Sequence, residues 1–198
     1  TVVNNLAALG VGRICLISVI GDDGEGYELR KALAGMPSID ASRVIQSDSI
    51  RTPTYTKPLL CRPGESPLEL NRLDIKNRTP TPGPAERQVV QALDQVWAEV
   101  DALVVSDQVT ESDCGVVTAR VREHLARLSE AAPHKLILVD SRERIGLFRS
   151  VCLKPNQAEC ARAVGGSGPG EVAALSRRAG RPVFCTQGGQ GTLLASPD

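Results

Sequence analysis

The chain has 198 residues, 41% of them hydrophobic and 23% charged, and these ordinary globular proportions predict a well-buried folded domain and argue against wholesale disorder. Its 23 basic and 23 acidic residues cancel, which removes the electrostatic argument for a nucleic-acid or anionic-membrane surface. The sequence shows no apolar run long enough to span a membrane and no signal peptide at its N-terminus, so we expect a cytoplasmic protein.

The first stretch of the chain alternates between helix and strand patterns. Residues 4–10 predict a helix that ends at a glycine cap. The nearly continuous apolar run at 13–20 is typical of a strand covered on both faces. A glycine-rich turn at 21–26 and a helix over about 27–34 follow.

A different pattern occupies roughly residues 43–82. Residues 51–61 and 68–74 alternate polar and larger side chains around a turn rich in proline and glycine, which predicts an antiparallel hairpin with one wet face. A hairpin inserted among βα units suggests a flap on the main sheet. The proline-rich segment 78–84 then connects the flap back to the main α/β domain.

From Ala85 onward the helix and strand patterns alternate again. Helices are predicted around 85–100 and 116–128. Buried strands are predicted to end near Asp107, Asp140, Leu153 and Thr186. This alternation predicts an α/β fold whose mostly parallel sheet carries helices on both faces.

Polar side chains directly follow the predicted strands, namely Asp22, Asp107, Asp140, Asn156 and Thr186. Each one alone is explained by capping the next helix. Because ligands bind beyond the carboxyl ends of parallel strands, the five together predict a crevice at that edge. Such a crevice suits a polar or phosphorylated ligand with a divalent metal.

A helix start follows the strand that ends at Leu153. Asn156 is placed as its N-cap, and the first backbone N–H groups of a helix favour an anion such as phosphate. Glu159, three residues later, either closes a capping box or turns toward Mg2+ and its waters. The pattern alone leaves both roles open.

The glycine-rich segment 186–191 precedes an apolar stretch. It is compatible with an ordinary β-hairpin turn or with a ligand loop. It is neither a Walker loop nor a dinucleotide fingerprint, since the required lysine and glycine spacing is missing.

The six cysteines are scattered with no Cys-x-x-Cys pair, which favours reduced, buried thiols over metal or disulfide roles. Four lie in or beside apolar stretches: Cys15, Cys61, Cys152 and Cys185. The histidines, His124 and His134, lack the spacing of metal ligands and are expected at the surface.

In this order, the motifs resemble those of the ribokinase-like (PfkB-type) carbohydrate kinases, most closely the heptose-phosphate kinase branch. The resemblance covers nearly the whole chain. The matching segments are residues 5–10, 21–26, 51–57, 72–74, 106–107, 154–159 and 186–191. It implies a three-layer α/β sandwich with a mostly parallel central sheet and a small β lid, so that residues 1–198 form a partial kinase domain with the lid at roughly 43–82.

The same resemblance implies ATP- and Mg2+-dependent phosphorylation of a hydroxyl on a sugar or sugar phosphate. It assigns nucleotide binding to Asn156, Glu159, Thr186, Gly188 and Gly191, with Glu159 also the metal ligand. It assigns the substrate side to Asp107, Lys57 and Arg72. The implied partner is a small-molecule sugar or sugar phosphate. As the composition indicates, neither nucleic acid nor membrane is expected, and exposed lid strands suggest a homodimer through the lid.

Three departures from the family pattern qualify these expectations. Thr1 stands where an asparagine is usual, and the loop after Asp107 lacks the lysine of the heptose kinases. The chain ends at Asp198, before a Gly-Ala-Gly-Asp segment with the family's general base, so no catalytic residue is assigned. We expect part of a carbohydrate kinase; the alternatives are a non-catalytic relative that binds sugar or nucleotide, and a different α/β enzyme.

Overall fold

A computed structural model describes residues 2–166, 168 and 170–198. Thr1, the first departure from the family pattern, lies outside the described residues. The chain forms two compact units, one extending to Val89 and the other comprising Val90–Asp198. Helix α3 (Gly83–Trp97) contains the boundary between them.

The first unit is built on two parallel strands, β1 (Ile14–Gly21) and β2 (Ile39–Ser47). Helix α1 (Val2–Ala8) precedes β1, and helix α2 (Gly24–Ala34) connects the two strands. A helix between parallel neighbours forms a βαβ unit, of which the sequence predicted the first strand and the helix.

The core of this unit contains one buried residue from each of β1, α2 and β2, namely Ile20, Leu33 and Val44. Val44 shows that β2 reaches into the range 43–82 assigned to the flap, so the flap begins later than predicted. Only Val44 of β2 is buried, so this strand lacks the continuous apolar run that marks a strand covered on both faces.

The flap itself is antiparallel, as predicted. Strand β3 (Thr54–Thr56) pairs with β6 (Leu73–Ile75), and β4 (Leu59–Leu60) pairs with β5 (Leu68–Glu69). At the turn between β4 and β5, Gly64 has a φ of +79°, a left-handed conformation that favours glycine. These short strands leave most of their side chains exposed.

Asp23 fastens the base of the flap to the start of α2. Its side chain caps α2 by accepting the N–H of Gly26 at 2.8 Å. It also accepts the N–H of Thr52 at 2.8 Å, the Thr52 hydroxyl at 2.7 Å and the Arg51 guanidinium at 3.2 Å. Burial opposes ionisation of this carboxyl, but these hydrogen bonds outweigh it and lower its pKa to about 2.

We expect Asp23→Asn to destabilise the protein at pH 7 by about 2 kcal/mol, because the amide weakens several charge-assisted hydrogen bonds. The folded pKa of Asp23, about 2, lies below the value of about 3.9 for an unfolded chain. The stability that Asp23 contributes is therefore complete above about pH 4 and is lost as the pH falls toward 2. Urea unfolding between pH 7 and pH 2.5 should show a shallower acid loss in the variant, and an unchanged acid slope would contradict this account.

The second unit contains a five-stranded sheet in the order β11-β10-β9-β8-β7. Its strands are β7 (Ala102–Asp107), β8 (Leu136–Ser141), β9 (Cys152–Leu153), β10 (Val183–Thr186) and β11 (Thr192–Ala195). Its helices are α4 (Ala119–Ala131), α5 (Gln157–Val164) and α6 (Glu171–Ala179), besides the end of α3. The sequence analysis assigned neither α6 nor strand β11.

Strands β7 to β10 are parallel neighbours, and β11 closes the sheet as an antiparallel hairpin with β10. The predicted mixed α/β fold with a mostly parallel central sheet is therefore confirmed. The centre of the sheet is fully buried at Ile137, Val139, Leu153, Val183 and Cys185. Among the described residues, we find no helix with both the length and the apolarity to cross a membrane.

All six cysteines are free, and four of them are buried: Cys114, Cys152, Cys160 and Cys185. Burial raises the pKa of the Cys160 thiol to about 12, which makes it an inert core residue. Cys61 contradicts the prediction of burial, because it follows the short flap strand β4 and is exposed.

The surface prediction for His124 is wrong, whereas His134 is exposed. Helix α4 buries His124 to 8% exposure, and its Nε2 lies 2.8 Å from Oδ1 of Asp94 on α3. A polar partner on a neighbouring helix is what permits this imidazole to be buried.

Candidate functional site

The carboxyl ends of four parallel strands bring four predicted polar residues to one edge of the sheet: Asp107, Asp140, Asn156 and Thr186. Their order follows the strand order, and Asn156 pairs with Thr186 in an isolated parallel bridge. The predicted edge therefore exists for these four. Asp22 belongs to the first unit, where its Oδ1 accepts a hydrogen bond from Gln46 at 2.6 Å.

The start of α5 forms a capping box, one of the two roles that the sequence left open. The N–H of Glu159 donates to Oδ1 of Asn156 at 2.9 Å, and the N–H of Asn156 donates to Oε2 of Glu159 at 2.8 Å. Asn156 is exposed, while Glu159 is only 9% exposed. The box uses one of the two carboxylate oxygens, so capping and metal binding through the other oxygen are compatible roles.

Thr186 joins the end of β10 to the start of α5. Its N–H donates to the Pro155 carbonyl at 2.9 Å, and its hydroxyl donates to the same oxygen at 3.4 Å. These bonds place the segment after Thr186 beside the N-terminus of α5. The predicted nucleotide loop and the predicted phosphate-binding helix start are thus neighbours.

The glycine-rich segment after Thr186 is the connection of a β-hairpin, one of the two structures that its sequence allowed. Gly188 and Gly191 have φ values of +58° and +90°, and added Cβ atoms there would meet nothing within 4 Å. Backbone conformation, rather than crowding, therefore requires these glycines. The N–H of Gly191 donates to the Gly188 carbonyl at 3.2 Å, so this amide stabilises the turn itself.

A lysine that the sequence analysis did not assign lies at the same edge. Lys154 Nζ is 2.8 Å from Oδ2 of Asp140, whose Oδ1 accepts the Gln108 side-chain amide at 3.3 Å. Both charged side chains remain more than one-third exposed. A lysine directly after a buried strand, two residues before a helix cap, is the signal that could have identified this cation.

Asp107 is placed differently from a free substrate-binding acid. It is 3% exposed, and Arg144 Nη2 donates to its Oδ1 at 2.9 Å. The Ser141 hydroxyl donates to its other oxygen at 2.6 Å. Both carboxylate oxygens therefore have protein donors, and direct contact with a sugar stays a prediction.

No group of three or more histidine, cysteine or acidic side chains that could hold a metal occurs within the described parts of the chain. A protein-only metal cage is therefore absent from those parts. Mg2+ requires fewer protein ligands than such a cage provides, because it is commonly held by one or two carboxylates together with water and substrate phosphates. Glu159, at the start of α5, is a donor of that kind.

The two predicted lid cations lie on the flap and are paired with carboxylates. Lys57 Nζ is 3.1 Å from Oε1 of Glu69. Arg72 holds Asp74 through two bonds, of 2.6 and 2.9 Å, and lies 4.9 Å from the Tyr55 ring centroid. Hydrogen bonds from Arg72 lower the pKa of the Asp74 carboxyl. Both cations are at least half exposed, so an anion can approach them.

Comparison with curated proteins finds three relatives that share one name, bifunctional protein HldE. The chain is 32% identical to that of Trichlorobacter lovleyi over 168 residues, which cover 83% of this chain and 31% of the relative. It is 30% identical to that of Rhodopseudomonas palustris over 205 residues, which cover 100% of this chain and 40% of the relative. The chain thus spans between 31% and 40% of the length of these relatives. No protein-family model matches it.

Solved structures share the fold at low sequence identity. A PfkB protein from Polaromonas sp. has a TM-score of 0.70 and 20% identity, covering 99% of this chain and 67% of its own. Arabidopsis thaliana ribokinase, complexed with ribose and ATP, has a TM-score of 0.61 and 12% identity, covering 93% of this chain and 58% of its own. At such identities the likeness establishes the fold.

Proposed function

We propose that the chain is part of a ribokinase-like (PfkB-type) carbohydrate kinase, and that the full-length protein transfers the γ-phosphate of ATP to a hydroxyl of a sugar or sugar phosphate. The similarity to its curated relatives and the fold shared with solved structures support this proposal. The observation that carries this proposal is the start of α5. There Asn156 and Glu159 cap a helix beside the end of β10, to which Thr186 ties it. A capped helix start with a carboxylate in its first turn is suited to phosphate and Mg2+ together.

In this proposal, the N–H groups at the start of α5 and the loop containing Gly188 and Gly191 receive the nucleotide phosphates. Glu159 holds Mg2+ through water or directly, and Lys154 offers a further positive charge at the same edge. The bound Mg2+ would neutralise negative charge on the phosphates. These residues position the phosphates and balance their charge, which is most of what phosphoryl transfer requires of a protein.

The experiment that tests the proposed function is a turnover assay of the full-length protein with ATP and Mg2+ against a panel of sugars and sugar phosphates. We expect acceptor-dependent ADP release with at least one acceptor. ATP binding without turnover on any acceptor would favour the non-catalytic relative that binds sugar or nucleotide. Neither binding nor turnover would overturn the proposal.

The relatives and the flap cations together favour a sugar phosphate as the acceptor. The motifs most resemble the heptose-phosphate kinase branch, and the flap presents Lys57 and Arg72 with their charged ends exposed. Cations at exposed positions attract an anionic ligand and release it readily. We therefore propose a heptose phosphate or a similar sugar phosphate ahead of a neutral sugar.

We expect Lys57→Ala to raise the KM for a phosphorylated acceptor by about tenfold with little change in kcat, because a charge contact to a remote phosphate supports binding more than chemistry. Steady-state kinetics at varied acceptor concentration would measure this. Glu69→Gln is the matched control, since it removes the partner of Lys57 and leaves the lysine in place. That variant should keep the KM or lower it, whereas an unchanged KM in Lys57→Ala would reject the substrate role.

The flap is also the proposed surface of a homodimer. The flap leaves five leucines between 38% and 61% exposed: Leu59, Leu60, Leu68, Leu70 and Leu73. Apolar side chains on strands with open edges favour pairing with a second copy. We therefore propose a homodimer through the flap. From the composition of the chain, we also propose a cytoplasmic location.

A further inference from the structure

The loop between β7 and α4, residues 108–118, is held by a single buried arginine. The guanidinium of Arg144 donates from Nη1 to the Thr110 carbonyl at 3.1 Å and from Nη2 to the Val109 carbonyl. Nη2 also donates to Oδ1 of Asp107. One planar side chain thus joins the last residue of β7 to the first turn of the following loop.

The arginine is itself held in place. It is 9% exposed, and its backbone N–H donates to the Ser141 hydroxyl at 3.1 Å. That hydroxyl donates in turn to Asp107, whose carbonyl accepts the N–H of Arg142 at 3.0 Å. Asp107, Ser141 and Arg144 therefore form a closed network at the carboxyl ends of β7 and β8.

The remainder of the loop has local constraints of its own. Asp113 has a φ of +57°, a left-handed conformation uncommon outside glycine. Its side chain accepts the N–H of Ala119 at 2.7 Å, which helps to start α4. A Cβ on Gly115 would lie 2.8 Å from a methyl group of Val109. The conformation of the loop therefore depends on the position of Val109, and the hydrogen bond from Arg144 to the Val109 carbonyl holds that position.

Gln108 connects this loop to the phosphate-site edge. It follows Asp107 directly, and its amide donates to Asp140, which also binds Lys154. Lys154 binds the other oxygen of Asp140 at 2.8 Å, so a shift of Gln108 should leave this ion pair in place. The network thus reaches the edge of the sheet without itself being exposed there.

We infer that Arg144 is the positioning residue that sets the loop of residues 108–118, which follows the predicted substrate-side residue Asp107, and that Asp107 acts by holding Arg144 instead of touching the sugar. This inference rests on the proposed function for its kinetic consequence. Its structural part, the fixed loop, is independent of what the protein binds. Lysine cannot replace arginine here, because one ammonium group cannot form the fork that reaches Asp107 and two carbonyl groups.

The test compares Arg144→Lys, Asp107→Asn and their combination in the full-length protein. Hydrogen exchange of the ligand-free protein should show the amides of residues 108–118 exchanging about tenfold faster in all three variants. The acceptor KM should rise by about tenfold in each, with the Kd for ATP within about twofold of wild type. Because the residues act as one unit, the double variant should resemble either single variant.

Arg142→Lys is the matched control, an exposed arginine two residues before Arg144, and it should leave both measurements at wild-type values. If Arg144→Lys does not fold, Ser141→Ala removes one bond to Asp107 and serves in its place. A loss of acceptor binding in Asp107→Asn with unchanged loop exchange would show direct substrate contact and overturn the inference. Faster loop exchange with no ATP binding by the wild type would instead contradict the proposed function alone.

Discussion

Glu159→Gln should lower kcat for phosphoryl transfer by about a hundredfold or more, because it removes the one negative charge that the start of α5 offers to Mg2+. Glutamine keeps an oxygen that can accept the Asn156 N–H, so the capping box and the fold should survive. Asn156→Ala should lower turnover as well, at a cost to stability of about 1 kcal/mol from the lost cap. Steady-state kinetics with ATP and Mg2+, together with thermal unfolding, would measure both effects.

Glu171→Gln is the matched control for this experiment. Glu171 also lies in the first turn of a helix in the same unit, at the start of α6. Its replacement should leave kcat within about twofold of wild type. Wild-type turnover in both Glu159→Gln and Asn156→Ala would refute the phosphate-site assignment and leave a plain capping box.

Leu153→Ala should destabilise the second unit by about 3 to 4 kcal/mol, the cost of deleting a large side chain from a core that cannot collapse around the cavity. Leu153 is 0% exposed, although its strand has only two residues. It pairs with Val139 on one side and Val183 on the other, so it fills the middle of the parallel sheet. Urea unfolding followed by circular dichroism would give the change in the free energy of unfolding.

Leu147→Ala is the corresponding control, since that leucine is 61% exposed and should cost no more than about 0.5 kcal/mol. β9 leads directly into Lys154 and Asn156, so Leu153→Ala should also weaken ATP binding at temperatures where the wild type still binds. A change below about 1 kcal/mol in Leu153→Ala would mean that the centre of the sheet repacks easily.

The elements that the sequence predicted correctly carry strong local signals. Continuous apolar runs marked β1, β7 and β8, since strands covered on both faces admit few polar residues. Asn156 and Glu159 predicted a helix start, and the structure forms that box from residues three apart. Glycine at Gly10 and Gly64 predicted a helix end and a turn, and both have positive φ.

The elements that were missed have signals shared by more than one structure. β2 lacks a continuous apolar run, and only its parallel pairing with β1 decides its place. Helix α6 is short and follows a stretch rich in glycine and serine, which is typical of loops. His124 looked like a surface residue because its partner, Asp94, is 30 residues away in the chain.

The sequence by itself determined the α/β alternation, the strand-end polar residues and the capped helix start, because each depends on neighbours within a few residues. Only the tertiary structure decided what those polar residues bind. Asp107 meets Arg144 across 37 residues, and Lys154 meets Asp140 across two strands of the sheet. Strand order creates such partners, and a side chain's own sequence neighbours do not specify them. That is why the sequence placed Asp107 at the crevice but could not show that both its oxygens are already engaged.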